Sequence, residues 1–524
     1  MSNRPLIHKY SHKIKTIEEL QETIGEFPRK KSVVLCHGVF DVIHPGHLRH
    51  LIYAKEKASL LVVSLTADCH IKKGHYRPHI PEDLRAANMA AYELVDYVVI
   101  DRNAKPLKNI EQVKPDYFCK GFEYSPDGKV NPRTQEEIDA LSSYGGRVIF
   151  TPGDHVYSSS KLINLAPPDI KYEKLELLLN RSKISFEDLR KTLSDFSNKK
   201  VHVVGDTIVD SYTQCEMIGG QTKTPTMSVL FQEKKDYVGG AAVVAKHLKS
   251  AGANVVFTTV LGEDSLKNFV VKDLKKNGIE CNENIDPLRP TVNKNAIIAR
   301  NYRLLKIDTL DNASIPQDTL ESICQSIKNT PSDAVIFSDF RHGIFNRSTV
   351  PCLIKSLPNT TLKVADSQVA SRWGDISEFK GFDLITPNER EARFSLRDQD
   401  SGVRSLASQL HKKADCKYLI LKLGDKGLLC SRSHDFEKID SFFLVDSFVD
   451  DLVDPVGSGD ALLAYSTLAL LASGSIVQAT ILGSIAAACE CEYDGNISVT
   501  PEDVLKKLNS IEKNVTFPMS EKTI

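Results

Sequence analysis

Two histidines three residues apart, His44 and His47, follow an apolar run and open a helical stretch. A helix start offers free backbone N–H groups and a partial positive charge, both of which suit phosphate. Two imidazoles at that point could stabilise charge on a reacting phosphorus. Two isolated histidines at this spacing could instead bind a metal or simply be polar surface residues. The strand before them and the helix after them favour a phosphate site. The same block contributes the candidate phosphate-binding residues Gly38, Phe40, Asp41 and Gly46.

A second candidate site is the segment Asp454–Asp460, which precedes an apolar helical run. Two glycines leave backbone N–H groups free to bind an anion at the helix start. Asp460, beside them, could accept a proton from an attacking hydroxyl, as a general base does. A glycine turn whose aspartate only stabilises the helix start is the alternative. The residues that would hold the transferred phosphoryl group are Gly457, Ser458 and Gly459.

These motifs lie between alternating strand-like and helix-like segments. Short apolar runs at 31–36, 60–65, 97–100, 116–120 and 147–150 predict one series of strands, and a second series begins at Val201. Because helices separate the strands, both series predict an α/β fold with doubly wound parallel sheets. Bounded apolar runs are typical of strands that are covered on both faces.

The double proline in Ala166–Asp169 and the mixed charge after it predict a linker between two domains, followed by a short helix. We therefore expect an N-terminal extension at 1–30, a first domain at 31–167 and a linker at 168–195. A second domain follows at 196–512 and a tail at 513–524.

Composition restricts the classes of protein that are compatible with the chain. It has 524 residues, 41% hydrophobic and 26% charged, with a formal net charge of -1, so no global field favours nucleic acid or an anionic membrane. The eleven cysteines include no CxxC pair, which predicts reduced thiols that fill cores. The basic N-terminus has no apolar segment of the secretory kind, and Ala461–Leu471 is too short to span a bilayer. We expect a cytoplasmic protein without a membrane or nucleic-acid partner.

The histidine block resembles the signature of the cytidylyltransferase-like nucleotidyltransferases, a Rossmann-like superfamily. The resemblance implies that a phosphate oxygen attacks the α-phosphorus of a nucleoside triphosphate, that pyrophosphate leaves and that Mg²⁺ assists. It also implies further phosphate and substrate contacts at Lys73, Arg77, Arg85 and Lys120, and at Ser158, Ser159 and Ser160, where the family usually has Ser-Thr-Thr.

The second domain resembles the ribokinase-like (PfkB) carbohydrate kinases, which have a large α/β domain and a small β lid. The resemblance rests on Val203–Asp210, Gly239-Gly240, Asn388-x-x-Glu391, Leu421–Gly427 and the Gly-x-Gly-Asp motif. It implies that Asp460 deprotonates a sugar hydroxyl with ATP as the phosphoryl donor. Implied sugar-binding residues are Asp206, Asp210, Gly239, Gly240, Arg300 and Asn301, and implied nucleotide- and phosphate-binding residues are Asn388, Glu391, Gly424 and Gly427, with Glu391 also organising Mg²⁺ indirectly.

Together the two domains resemble the bifunctional enzymes that phosphorylate heptose 7-phosphate at its anomeric oxygen and then form ADP-heptose. The order of the two modules is reversed here. The chain also differs at Val243, where the family has asparagine, and at Gln368, where it has lysine. The loss of a hydrogen-bonding group can change specificity strongly. The sequence therefore leaves other products open, namely a CDP-sugar, another nucleotide sugar or a polyol product. It also leaves open that one module is degenerate and senses a sugar or nucleotide. The resemblance also implies a homodimer.

Overall fold

The computed structural model describes residues 9–71, 77–121, 132–151, 171–219, 227–300, 302–368, 374–435, 441–493, 495 and 497–515. The chain forms two compact units, with the boundary between Ile170 and Lys171. Each unit is described by itself below.

The first unit is built on a parallel sheet. Its described strands are β1 Ile14–Lys15, β2 Val33–Gly38, β3 Leu60–Thr66, β4 Tyr97–Asp101, β5 Tyr117–Lys120 and β6 Arg147–Phe150. They pair in the order β1-β4-β3-β2-β5-β6, and each of these pairs is parallel. The chain steps from β2 to β3 on one side and reaches β5 on the other, so the crevice at the carboxyl end of β2 is where such sheets bind ligands.

Helices cover both faces of this sheet. The described helices are α1 Ile17–Ile24, α2 Pro45–Lys55, α3 Glu82–Ala90, α4 Leu107–Val113 and α5 Pro132–Ser142. Alternate residues of β2 enter different cores, because Val34 and Cys36 pack on one face while Val33 and Leu35 pack on the other.

The second unit contains a larger sheet. Its described strands are β7 Lys200–Gly205, β10 Asn254–Leu261, β11 Glu280–Ile285, β14 Ala334–Asp339, β15 Leu362–Ser367, β16 Leu384–Ile385, β17 Tyr418–Lys422, β18 Leu428–Ser431 and β19 Phe442–Val445. Their order is β11-β10-β7-β14-β15-β16-β17-β18-β19. The pairs from β11 to β17 are parallel, and β18 pairs antiparallel with both β17 and β19.

The described helices of this unit include two that are apolar all round and lie in the core, as expected for buried helices. These are α14 Ser458–Ser473 and α15 Ile476–Cys491. The others are α6 Lys171–Ser182, α7 Phe186–Ser194, α8 Ala241–Ser250, α9 Ser265–Lys276, α10 Gln317–Asn329, α11 Val350–Lys355, α12 Glu389–Leu396, α13 Val403–Ala414 and α16 Pro501–Val515.

A separate sheet forms the expected lid. It consists of β8 Thr207–Gly219, β9 Ser228–Gly240, β12 Asn293–Ala299 and β13 Tyr302–Thr309, in the order β13-β12-β8-β9. The strand β8 starts two residues after β7 ends, so the lid grows directly from the carboxyl end of the main sheet. The α/β fold class, with a Rossmann-like unit followed by a larger unit with a lid, is confirmed.

Two segments differ from the sequence prediction. Within the expected linker 168–195, α6 and α7 are regular helices, and Leu178 and Leu189 are buried in the core of the second unit. A short helix was expected after the double proline, and the apolar residues of both helices recur at helical spacing. Within the expected extension 1–30, β1 pairs with β4 and Leu20 is fully buried, so this segment completes the first unit.

Among the described residues, the helices lack the combination of length and apolar character that crossing a bilayer requires.

Candidate active sites

The paired histidines lie where α2 begins. His44 is the residue before the helix, and its Nδ1 accepts a hydrogen bond of 3.1 Å from the N–H of Gly46. The Nδ1 atom of His47 accepts one of 3.4 Å from the N–H of His44. The two imidazole rings stack with their centroids 3.9 Å apart. The helix start therefore fixes both rings side by side.

These hydrogen bonds also determine where each ring carries its proton. Because Nδ1 accepts, the neutral ring is protonated at Nε2, which can then donate to a ligand. Burial and Arg49 lower the pKa of His44, and burial, His44 and His50 lower the pKa of His47 to about 4. Both imidazoles are thus neutral donors near pH 7, suited to phosphate oxygens.

The residues between β2 and α2 shape the loop. Phe40 has a φ of 48°, and its ring lies 5.1 Å from that of His47. A side chain at Gly38 would come within 2.9 Å of the Phe40 ring, so this position requires glycine. The Oδ1 atom of Asp41 accepts hydrogen bonds from the N–H groups of His79 and Ile80, both 2.9 Å. Asp41 thus anchors the segment that leads into α3.

Arg85 and Lys120, two of the predicted phosphate contacts, have partners within the protein. Arg85 is fully buried and hydrogen-bonds to Asp68 and to three backbone carbonyls at the ends of the loops. Lys120 forms an ion pair with Glu137. Their cationic groups therefore hold the loops together, a role that motif position alone does not reveal. Arg77 is half-buried and stays a predicted contact, while Lys73, Ser158, Ser159 and Ser160 lie outside the described residues.

His37, at the end of β2, was not singled out from the sequence. Its Nδ1 lies 3.0 Å from Ser64 Oγ and its Nε2 lies 3.2 Å from Thr66 Oγ1. Burial and Lys120 lower its pKa to about 4. His37 therefore links β2 to β3 in its neutral form. Its position inside a strand made it resemble an ordinary core residue.

In the second unit, a cluster of charged side chains lies at the carboxyl ends of the parallel strands. The Nζ atom of Lys422, the last residue of β17, is 2.9 Å from Oδ1 of Asp366 on β15. Thr386 donates a further hydrogen bond of 2.9 Å to the same oxygen. Glu391 and Asp460 interact with Lys422 electrostatically from α12 and α14. Lys422 and Asp366 were not predicted as site residues.

The cluster changes the proton affinity of its members. Burial, with Asp366 and Glu391, raises the pKa of Asp460 to about 7, although Lys422 opposes the shift. Burial alone would lower the pKa of Lys422, but Asp366, Glu391 and Asp460 outweigh it and raise that pKa. A carboxylate with a pKa near 7 is well matched to accept a proton from a hydroxyl at neutral pH.

The glycines near Asp460 allow other groups to approach the start of α14 closely. Gly457 has a φ of 91°, in the left-handed region, and precedes α14. A side chain at Gly459 would lie 3.4 Å from the Nζ atom of Lys422. Since the first N–H groups of a helix have no intrahelical acceptors, the turn Gly457-Ser458-Gly459 can bind an anion beside Asp460. Farther along the sheet, a side chain at Gly427 would collide with Val445 O at 2.1 Å, whereas Gly424 has open space around it.

Asn388 and Glu391 form a reciprocal cap on α12. Asn388 donates from its backbone and its Nδ2 to the two oxygens of Glu391, both at 2.7 Å, and the Glu391 N–H donates to Asn388 Oδ1 at 2.9 Å. Mg²⁺ prefers oxygen ligands and keeps much of its water. The oxygen-rich set around Glu391 fits such an ion through water, so the indirect metal role stays a prediction consistent with this chemistry.

A further carboxylate missed in the sequence is Glu490, on α15. Its side chain is fully buried. Burial, with Asp460 and Asp454, raises its pKa to about 8. Glu490 is therefore protonated at neutral pH and can act as a donor behind the anion turn. Its place inside an apolar helix gave no sequence signal.

The predicted sugar residues lie where the lid meets the main sheet. The Oδ2 atom of Asp206 accepts hydrogen bonds from the N–H groups of Phe340 and His342, at 3.0 and 3.2 Å. Burial raises the pKa of Asp206 and of Asp210. A side chain at Gly239 would lie 2.3 Å from Oδ2 of Asp210, and Gly240 has a φ of 65°. The carboxylate of Asp210 thus lies against the backbone at Gly239, where any larger residue would collide with it.

Arg300 is the exposed residue at the turn between β12 and β13, with a φ of 56°. This places it at the edge of the lid, outside the Asp206–Asp210 region of the sheet. Asn301 lies outside the described residues. The sugar-binding role of both stays a prediction.

The α/β fold thus holds two candidate sites, a carboxylate beside an anion turn in one unit and paired imidazoles at a helix start in the other. The chain belongs to the pfkB family of carbohydrate kinases, whose model matches residues 198–503. Residues 35–165 match the cytidylyltransferase-like family. The two matches confirm both predicted domain types and the order with the nucleotidyltransferase-like domain first.

Curated relatives carry the name bifunctional protein HldE. The protein from Campylobacter jejuni subsp. doylei is 28% identical over 318 residues, covering 60% of this chain and 65% of the relative. The protein from Geobacter metallireducens is 40% identical over 139 residues, covering 26% of this chain and 27% of the relative. The chain thus spans just under two thirds of the length of the first of these relatives.

Among solved structures, phosphofructokinase-2 from Escherichia coli in complex with potassium superposes with a TM-score of 0.50 and 15% sequence identity. The match covers 60% of this chain and 99% of that structure. At this identity the similarity supports the ribokinase-like fold alone.

Lys422→Met tests the charge cluster through the pH dependence of sugar-kinase kcat/KM. Because removal of the ammonium group leaves Asp460 among like charges, the acid limb of the profile should move up by roughly one to three pH units. Asp366→Asn, which removes a like charge, should move it down. Lys412→Met, an exposed lysine on α13, is the matched control. Unchanged profiles in both cluster variants would contradict the electrostatic account.

Proposed function

We propose that this chain phosphorylates a sugar phosphate at its anomeric oxygen with ATP and then transfers a nucleotidyl group from a nucleoside triphosphate to the resulting sugar 1-phosphate. The observation that carries the proposal is the presence in one chain of two matched enzyme families, each with a motif at the carboxyl end of its sheet. The product of the first reaction has the phosphate oxygen that the second reaction needs as its nucleophile.

In the kinase step, the anomeric hydroxyl gives its proton to Asp460 as its oxygen bonds to the γ-phosphorus of ATP, and ADP leaves. The pKa of about 7 lets Asp460 be ionised before the step and protonated after it. The N–H groups of the Gly457–Gly459 turn would hold the transferred group, and Asp206 and Asp210 would orient the sugar. Mg²⁺ would neutralise charge on the triphosphate when bound.

In the transferase step, an oxygen of the sugar 1-phosphate bonds to the α-phosphorus of a nucleoside triphosphate, and pyrophosphate leaves. His44 and His47 need not exchange a proton. Their Nε2–H groups, fixed by the hydrogen bonds to Nδ1, donate to phosphate oxygens on which charge increases. This role requires neutral imidazoles, which the lowered pKa values support.

The product that we propose is ADP-heptose, formed from heptose 7-phosphate after a separate phosphatase removes the 7-phosphate. The motif resemblance and the similarity to proteins named HldE support it. Val243 and Gln368, which depart from the pattern of the heptose enzymes, make another nucleotide sugar the alternative. Since ATP and the other triphosphates are made in the cytoplasm, we place the reaction there.

The product assay tests the substrate proposal. The purified chain would be incubated with Mg²⁺, the four nucleoside triphosphates, a sugar-phosphate panel that includes heptose 7-phosphate, and a sugar-bisphosphate phosphatase. Mass spectrometry should detect ADP-heptose. A different nucleotide sugar would support both activities and refute the assignment of heptose as the sugar. If no product forms and no ATP is consumed, the proposal that the chain phosphorylates any sugar of this panel is refuted.

Site variants should separate the two activities. Asp460→Asn should lower sugar phosphorylation by about two to four orders of magnitude, because the general base is lost, and leave pyrophosphate release from supplied sugar 1-phosphate unchanged. His44→Ala and His47→Ala should do the reverse. Coupled ADP and pyrophosphate assays on the same preparations measure both. Loss of both activities in a folded variant would contradict two separate sites.

We further propose that the chain forms a homodimer through its lid. The lid strands expose large apolar side chains, among them Met217, Leu230, Phe231, Leu305 and Ile307. Exposed apolar patches of this kind mark interaction surfaces. The combined variant Phe231→Glu and Leu305→Glu should change the mass measured by light scattering from a dimer to a monomer. A dimeric variant, or a monomeric wild type, would refute this interface.

A further inference from the structure

Two cysteines and a histidine from three different elements converge in the first unit. Cys36 on β2, Cys119 on β5 and His50 on α2 each present a ligand atom, and these atoms all lie within 4.8 Å of one another. Cys36 and Cys119 are direct neighbours in the register of the two parallel strands, so their side chains point to the same face of the sheet. His50 reaches them from the helix that covers this face.

We propose that Cys36, His50 and Cys119 bind a zinc ion, at a site separate from the paired histidines and outside the proposed reactions. Zinc binds thiolate sulfur at about 2.3 Å and imidazole nitrogen at about 2.0–2.1 Å in a tetrahedral arrangement. Tetrahedral angles then separate two sulfurs by about 3.8 Å. A sulfur and a nitrogen ligand lie about 3.6 Å apart in the same geometry, so the observed 4.0 Å between Cys119 Sγ and His50 Nδ1 needs an adjustment of only a few tenths of an ångström.

The surroundings supply the fourth position. Thr151 Oγ1 lies 2.6 Å from His50 Nδ1 and 3.7 Å from Cys119 Sγ. A water molecule would complete four-coordination, as in sites with three protein ligands, with Thr151 Oγ1 beside it as a hydrogen-bond partner. Thr151 also donates a hydrogen bond to Lys120 O, which fixes it beside the thiols.

Charge balance favours a divalent ion here. Cys36 and Cys119 are buried, with 0% and 1% exposure, so two thiolates without a counterion would be costly. Two thiolates, a neutral imidazole and Zn²⁺ give a neutral complex, which avoids an uncompensated charge in the core. Soft sulfur ligands select zinc over magnesium, so the nucleotide's Mg²⁺ does not compete for the site.

The position gives the ion a structural role. His50 is one turn from His47 on α2, and Cys36 is two residues before Gly38 at the end of β2. Zinc would join α2 to β2 and β5, beneath the crevice that the paired histidines face. The ion would therefore stabilise the helix start without contacting a substrate.

Zinc titration of the full-length chain tests the proposal. After treatment with a chelator, the wild type should take up one Zn²⁺ in competition with a chromogenic chelator, and its thermal unfolding temperature should rise. Cys36→Ser and Cys119→Ser should each weaken this binding by about two orders of magnitude or more. Cys324→Ser, a half-buried cysteine of the second unit, is the matched control and should bind like the wild type.

Cobalt binding by the wild type provides a measurement that does not depend on the folding of variants. Co²⁺ at this site should give thiolate-to-metal charge-transfer absorption of the strength expected for two thiolates, with the intense visible bands of a tetrahedral ion. The proposal would be overturned by a wild type that takes up neither metal. It would also be overturned by Cys36→Ser and Cys119→Ser variants whose metal affinity equals that of the wild type.

Discussion

The ammonium group of Lys422 lies among three carboxylates, those of Asp366, Glu391 and Asp460, at the carboxyl end of a buried parallel sheet. One cation faces three carboxylates there, so burial and the like charges of Asp366 and Glu391 raise the pKa of Asp460 to about 7. Asp366 is paired with Lys422 at 2.9 Å, and Glu391 is held by Asn388. Asp460, the group beside the anion turn, is therefore the carboxyl group that can exchange a proton near neutral pH.

The first unit controls the charge of its site residues in a different way. It places two imidazoles at a helix start, where backbone N–H groups take the Nδ1 lone pairs and burial keeps the rings neutral. The kinase site thus has a group that can change its charge during the reaction, whereas the transferase site has fixed donors. This difference agrees with the chemistry, because a sugar hydroxyl must lose a proton and a phosphate oxygen need not.

The local motifs and the strand–helix alternation could be predicted from the sequence because they depend on neighbours along the chain. The ion pair of Lys422 and Asp366 could not, because it joins β17 to β15, and the segment Leu421–Gly427 that contains Lys422 does not show which carboxylate it meets. The same holds for Cys36 and Cys119, which strand register alone brings together. The hydrogen bonds of Arg85 to backbone carbonyls could not be predicted either, because the motif position indicates only a phosphate contact.

Direct titration of Asp460 tests the central claim that the charge cluster produces the kinase base. Infrared difference spectra of the full-length chain, compared with those of Asp460→Asn, would isolate the carbonyl stretch of the protonated Asp460 carboxyl group. The account predicts that this band disappears as the pH rises through about 7. A carboxyl group that is already ionised at about pH 5, as an ordinary aspartate is, would contradict it.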